Sequence, residues 1–156
     1  MKKYIVLVTF LCGFFAMGQG LLERNVGDFH EIKVYDLIAV NLIKSNDNKV
    51  MIKGPHANDI QLINKDGVLK VRMMLEKKFQ GENTFVEVYY KDLDVIDGNE
   101  GARITANELI AQTSLNLRVQ EGAEIRLGLE VDYLSSKAVT GGIIEVSGMI
   151  DVHDVN

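Results

Sequence analysis

Tryptophan is absent from the 156 residues, and proline and cysteine occur once each. Cys12 lies in an apolar run near the start, after Phe10-Leu11, which are not the small residues that precede a lipidated cysteine. Once that run is set aside, the chain has no disulfide, no thiolate nucleophile and no thiolate metal ligand. Such a domain must be held by its core. Without tryptophan, a sugar-binding face has only Tyr35, Tyr89, Tyr90 and Tyr133 as flat rings beyond the leader. Tyr89 and Tyr90 are adjacent on an expected strand, so they point to opposite faces and do not make one platform. Histidine is scarce as well. His30, His56 and His153 are the only three, and no serine sits in a nucleophile-elbow context, so the chain offers no Ser-His-Asp triad. The sequence assigns no catalytic residue, no cofactor-binding residue, no cofactor and no metal ligand, and the chain reads as a non-enzyme.

Lys2 and Lys3 precede an apolar run from Tyr4 to Met17, and Ala16-Met17-Gly18 supplies the small residues that a signal peptidase reads. As a helix the run would span about 21 Å against a hydrocarbon core of about 30 Å, too short for an anchor. Residues 1–18 are therefore expected to be a signal peptide, with Gln19 the first mature residue and cleavage before Leu21 the alternative. Removing them leaves 15 basic against 22 acidic residues, a net charge of −7. That balance argues against nucleic acid as a partner and against an anionic membrane except as the export route.

Residues 19–28 are expected to be a linker and 29–156 a single domain. From Phe29 the pattern has period two: Ile32 and Val34, then Ile38, Val40 and Leu42, then Val50 and Ile52, with Ser45-Asn46-Asp47-Asn48 as a turn and Gly54-Pro55 as a stop. Between His56 and Ile63 a short helical turn competes with a strand. Asp66-Gly67 is a tight-turn signal before the strand from Val68 to Met73. Lys77-Lys78 belongs to a solvated loop, and Val86, Val88 and Tyr90 share a strand face. No long helical period follows residue 19.

From Leu93 to Met149 one short unit is stated three times, as Gly101-Ala102-Arg103-Ile104, Gly122-Ala123-Glu124-Ile125 and Gly141-Gly142-Ile143-Ile144. The glycines step by 21 and then 19 residues, a period that stacked solenoids produce. Ile104, Ile125 and Ile144 are the expected apolar column. Leu93 with Val95, Leu109 with Ala111, Leu115 with Leu117 and Leu129 with Val131 are further expected inward pairs. Asp92, Asp94, Asp97 and Glu100 crowd together as a calcium set would. Ile96 falls where a loop ligand is needed, so the acids read as the water-facing side of a strand. The Asp151-Val152-His153-Asp154 tail reads as disordered.

Phe29-x-x-Ile32-x-Val34, Asp66-Gly67-Val68-Leu69-Lys70-Val71, Val86-x-Val88 leading to Leu93-x-Val95, and the glycine-punctuated units resemble the auto-transporter adhesin head domains known as GIN domains. The resemblance covers nearly all of 27–150. It implies an all-β, right-handed parallel β-helix-like solenoid, a strand-rich N-terminal portion and units of about 20 residues. It also implies export to the periplasm or surface of a Gram-negative bacterium, and it carries over no catalytic residues. Two departures stand out: the family's Ser-Gly turns are replaced by Asn99-Glu100-Gly101, Gln120-Glu121-Gly122 and Thr140-Gly141-Gly142, and the sequence stops at Asn156 where members continue. The function expected is an adhesin-head-like binding module for an envelope protein or glycan. The alternatives are a structural element that self-associates through an uncapped C-terminal edge, and a glycan-acting enzyme.

Overall fold

The computed structural model describes residues 21–156; the expected signal peptide lies outside them. Twelve strands follow in order: β1 (Leu22–Asn25), β2 (Glu31–Val34), β3 (Ala39–Lys44), β4 (Lys49–Lys53), β5 (Ile60–Lys65), β6 (Val68–Met73), β7 (Phe85–Tyr90), β8 (Val95–Gly98), β9 (Arg103–Ala106), β10 (Ile110–Val119), β11 (Glu124–Ala138) and β12 (Ile143–Val155). Between them are two single-turn 3-10 helices, Ala57–Asp59 and Leu75–Lys77, so the turn and the strand that compete after His56 both form, in succession. The all-β class holds. The strands make one curled sheet, and it is mixed: β1–β4, β4–β7 and β5–β6 are antiparallel, a departure from an all-parallel solenoid. β1 lies within the stretch expected to be linker and pairs with β4.

Two ladders of parallel pairs meet on β11. In the first, β6, β2, β8, β10 and the C-terminal half of β11 lie side by side; in the second, β7, β3, β9 and the start of β11 do. The register places Leu69, Ile32, Ile96 and Leu117 in one row, and Val86, Val40, Ile104, Ile125 and Ile144 in another. These side chains point inward into one core cluster. A Cβ added to Gly98 on the first ladder would lie 3.6 Å from Ile104 Cδ1 on the second, which shows the two inner faces in contact. Each buried Ile or Leu contributes about 1.5–3 kcal/mol of transfer free energy, and like stacked on like excludes water along the row.

Four turns lead from the first ladder to the second: Tyr35–Ile38, Asn99–Ala102, Gln120–Ala123 and Val139–Gly142. Each is closed by a hydrogen bond from its fourth N–H to its first carbonyl, at 3.0 to 3.3 Å. Both central residues of each have positive φ: Asp36 and Leu37, Glu100 and Gly101, Glu121 and Gly122, Thr140 and Gly141. That is the backbone of a type I′ turn, which explains why glycine recurs at the second central place. The turns also bond to one another, Leu37 N to Glu100 O, Gly101 N to Glu121 O and Gly122 N to Thr140 O.

Two inward assignments fail by one residue. Asp94 N and Val95 N both donate to His30 O, at 2.7 and 3.2 Å, a bulge that reverses the alternation. Leu93 stays buried, but Val95 turns outward and Ile96 takes the core position. Leu109 is 60 % exposed and Ala111 is exposed, while Ile110 is buried. Leu109 lies instead over Gly128, whose missing side chain leaves it room.

Gly148 of β12 has φ +121°, and a Cβ there would fall far inside van der Waals contact with Leu129 O. Gly148→Ala is expected to loosen β12 from β11. Amide hydrogen exchange should quicken across 143–155 and stay near wild type in β2 and β8.

Candidate binding surfaces

The four acids singled out after Tyr90 diverge. Asp92 is exposed and pairs with Lys44, with Nζ to Oδ1 3.8 Å, and Glu100 pairs with Lys78 at 2.9 Å. Asp97 is buried, which corrects its expected water-facing position. Its Oδ2 accepts from Lys33 Nζ at 3.2 Å and its Oδ1 from Asn99 Nδ2 at 2.9 Å, while Gln120 Nε2 donates to Asn99 Oδ1 at 2.7 Å. With Glu31, 3.0 Å from Lys33 Nζ, these residues form a polar chain across three strands. Among the described residues no group of His, Cys, Asp or Glu is arranged to hold a metal ion.

The histidines are separated as well. The His30 ring packs over Gly67, His56 Nδ1 is 3.1 Å from Asp59 Oδ2, and His153 Nε2 is 2.8 Å from Ser136 Oγ. The last contact is a Ser-His pair that the sequence reading does not single out. Among the described residues no carboxylate bonds to its imidazole, so the orienting third member of a triad is missing. The tail that carries it is ordered as the end of β12, not disordered, because it pairs with β11 as far as Ser136↔Val155.

Tyr89 and Tyr90 do face opposite ways, and Tyr90 packs in the core. Burial raises the phenol pKa of Tyr90, helped by the charge of Glu108, and burial likewise raises that of Tyr35. At Lys33 burial acts to lower the pKa, but hydrogen bonds to Glu31 and Asp97 and their charges outweigh it and the net shift is upward. For all three groups a raised folded-state pKa gives stability that is fully present below the ordinary value, 10.0 for tyrosine and 10.5 for lysine, and lost as pH rises through the folded value. Urea midpoints are therefore expected to fall above pH 10, and Lys33→Met should remove part of that fall.

Two open surfaces complete the picture. A cleft of about 760 Å³ is lined by Leu21, Pro55, Ala57, Asn58 and Phe85, beside β1 and the end of β4. At the opposite end β12 pairs on one side only, with β11. Ile143, Met149, Val152 and Val155 are exposed there, and inward-facing Ile144, Val146 and Ile150 are only partly buried because no described strand covers that end. No helix among the described residues is long and apolar enough to cross a membrane.

No curated protein sequence matches this chain. Among solved structures it is similar to a putative adhesin from Bacteroides fragilis, with TM-score 0.76 and 16 % identity over 86 % of this chain; it spans 66 % of that longer chain. A putative adhesin from Parabacteroides merdae gives TM-score 0.60 at 16 % identity, covering 87 % of this chain and 76 % of that one. A protein from Parabacteroides distasonis described as a putative lipid binding protein gives 0.58 at 15 % identity, covering 86 % and 68 %. At such identities the likeness establishes the fold. A family model, described as putative auto-transporter adhesin, head GIN domain, matches residues 28–156. That match spans both ladders and every turn between them, and the chain belongs to the GIN-domain family of putative auto-transporter adhesin heads.

Proposed function

We propose that the protein is an exported, non-enzymatic binding module of the cell envelope, built as a parallel β-helix-like stack and acting through its outer faces. The observation that carries this reading is the register. Parallel pairs stand 21 residues apart from β8 to β10 and from β9 to β11, and 19 apart from β10 to β11 and from β11 to β12. Outward side chains consequently stand in straight rows about 4.8 Å apart, a rigid display suited to an extended partner. The dispersed acids and histidines favour recognition over turnover. Fractionating the native bacterium tests the location: the protein is expected in periplasmic or surface fractions, and recovery in the cytosol overturns it.

A second reading is pairing of two copies through β12. Its unpaired backbone groups form an open edge. An antiparallel pair centred on Ser147 sets Ile144 against Ile150 and Val146 against Gly148, with no like charges opposed between 143 and 151. On this second reading light scattering shows a dimer that dissociates on dilution; a monomer at every concentration removes it.

A further inference from the structure

The outer face of the first ladder and the adjoining β5 carries cations that pair with no described acidic residue. Among the described residues 15 are Lys or Arg, and seven of these make ion pairs. Of the eight that do not, five stand together on this face: Lys65, Lys70, Arg72, Arg118 and Lys137. In a chain with 22 acidic residues, ion pairing should exhaust the cations first. Eight cations nevertheless stay unpaired, and five of them gather on one face.

The arrangement is linear. Register pairs Lys70 with Lys33, Lys33 with Asp97, Asp97 with Arg118 and Arg118 with Lys137, so three of the unpaired cations stand in one row with Lys33 and Asp97 across five strands, and Lys65 and Arg72 flank its Lys70 end. Four strand spacings make the row about 19 Å long. Asp97 is engaged by Lys33, so it does not offset the outer members, and Arg118 lies directly beside Lys137 as a like-charge neighbour. Such neighbours destabilise an isolated sheet. Arg72 adds an independent sign: its Nε is buried without a hydrogen-bond partner, and its guanidinium lies 6.0 Å from the centre of the Tyr35 ring. An anion bound beside Arg118 and Lys137 would relieve their repulsion.

We infer that this row is a binding site for a linear acidic polysaccharide, carboxylated or sulfated, lying across the strands from β6 to β11. This rests on the binding-module reading and names its ligand class. A row one residue wide matches a chain of charges better than a plane of lipid headgroups. The exposed apolar residues of this face, Ile63, Tyr133 and Val139, are scattered over it, which leaves no contiguous patch for membrane insertion. Its two rings stand apart, Tyr35 half-buried against Arg72 and Tyr133 exposed on β11 four residues from Lys137, so they form no platform for successive nucleic-acid bases.

The test is titration of the purified protein with polygalacturonate and dextran sulfate, beside uncharged dextran, phosphatidylglycerol vesicles and oligothymidylate. Saturable binding to one of the acidic polysaccharides, and none to dextran, is expected at about 50 mM salt, with affinity falling steeply as salt is raised. Arg118→Gln with Lys137→Gln should weaken binding about tenfold or more and flatten the salt dependence, and Lys65→Gln with Lys70→Gln should do likewise. Lys49→Gln with Lys53→Gln, on β4 beside the second ladder, should change little. Equal loss in that control pair, or tighter binding to the vesicles or the oligonucleotide, overturns the assignment. If neither acidic polysaccharide binds but an uncharged glycan or a protein does, the assignment fails while the binding-module reading stands; if nothing binds, both fail.

Discussion

Asp36→Ala is expected to lower stability by about 3–5 kcal/mol, a large share of what a domain of this size possesses. Asp36 is fully buried at φ 60°, as the first central residue of the Tyr35–Ile38 turn. Its Oδ2 accepts from Met73 N at 3.0 Å, its Oδ1 from Phe79 N at 3.3 Å, and its carbonyl from Gly81 N at 3.1 Å. One side chain thus fastens the end of β6 and the loop before β7 to the turn between β2 and β3. Alanine strands two backbone donors, each costing about 1–3 kcal/mol, and must also hold a left-handed backbone at about 1–2 kcal/mol. Asp36→Asn keeps the turn preference and one acceptor, and should lose about half as much. Urea melts of the three proteins, read by far-ultraviolet circular dichroism, check both the size and the order.

Two substitutions of identical chemistry should differ by several-fold. Ile125 is fully buried and flanked by Ile104 and Ile144, so Ile125→Ala is expected to cost about 3–4 kcal/mol through lost transfer energy and an unfilled cavity. Ile144 stands in the same row but is only partly buried, because among the described residues β12 pairs with β11 alone. Ile144→Ala is expected to cost about 1 kcal/mol. The ratio reports how open that end is in solution. Equal costs would mean that Ile144 is covered there, as it would be in a dimer through β12.

The units after Leu93 were legible because their turns announce themselves. Gly101, Gly122 and Gly141 occupy left-handed positions, so the turn chemistry marked the period, and Ile104, Ile125 and Ile144 fell into one row as expected. The β2–β3 segment has the same turn, but with Leu37 where the others have glycine, and so it read as an ordinary strand meander. Its position was also hidden. The segment lies between β6–β7 and β8–β9, at register offsets of 37, 46 and 64 residues, and no local period can announce neighbours that far apart. The antiparallel additions of β1 and β4 escaped for the same reason, whereas β5 pairs locally with β6 across the Asp66-Gly67 turn. Val95 was misplaced because a bulge inverts parity without leaving a mark in composition. The basic row was invisible for a different cause: net charge sums over all faces, and only the register shows that unpaired cations gather on one.

The reading of the molecule as a recognition module, not a catalyst, is tested most directly by probing an array of envelope glycans and proteins with the purified protein and analysing the eluted ligand by mass spectrometry. The account predicts saturable capture of at least one class, with the ligand recovered intact. Recovery of cleaved or otherwise altered ligand, lost on a single substitution such as Ser136→Ala or His153→Ala, would contradict it.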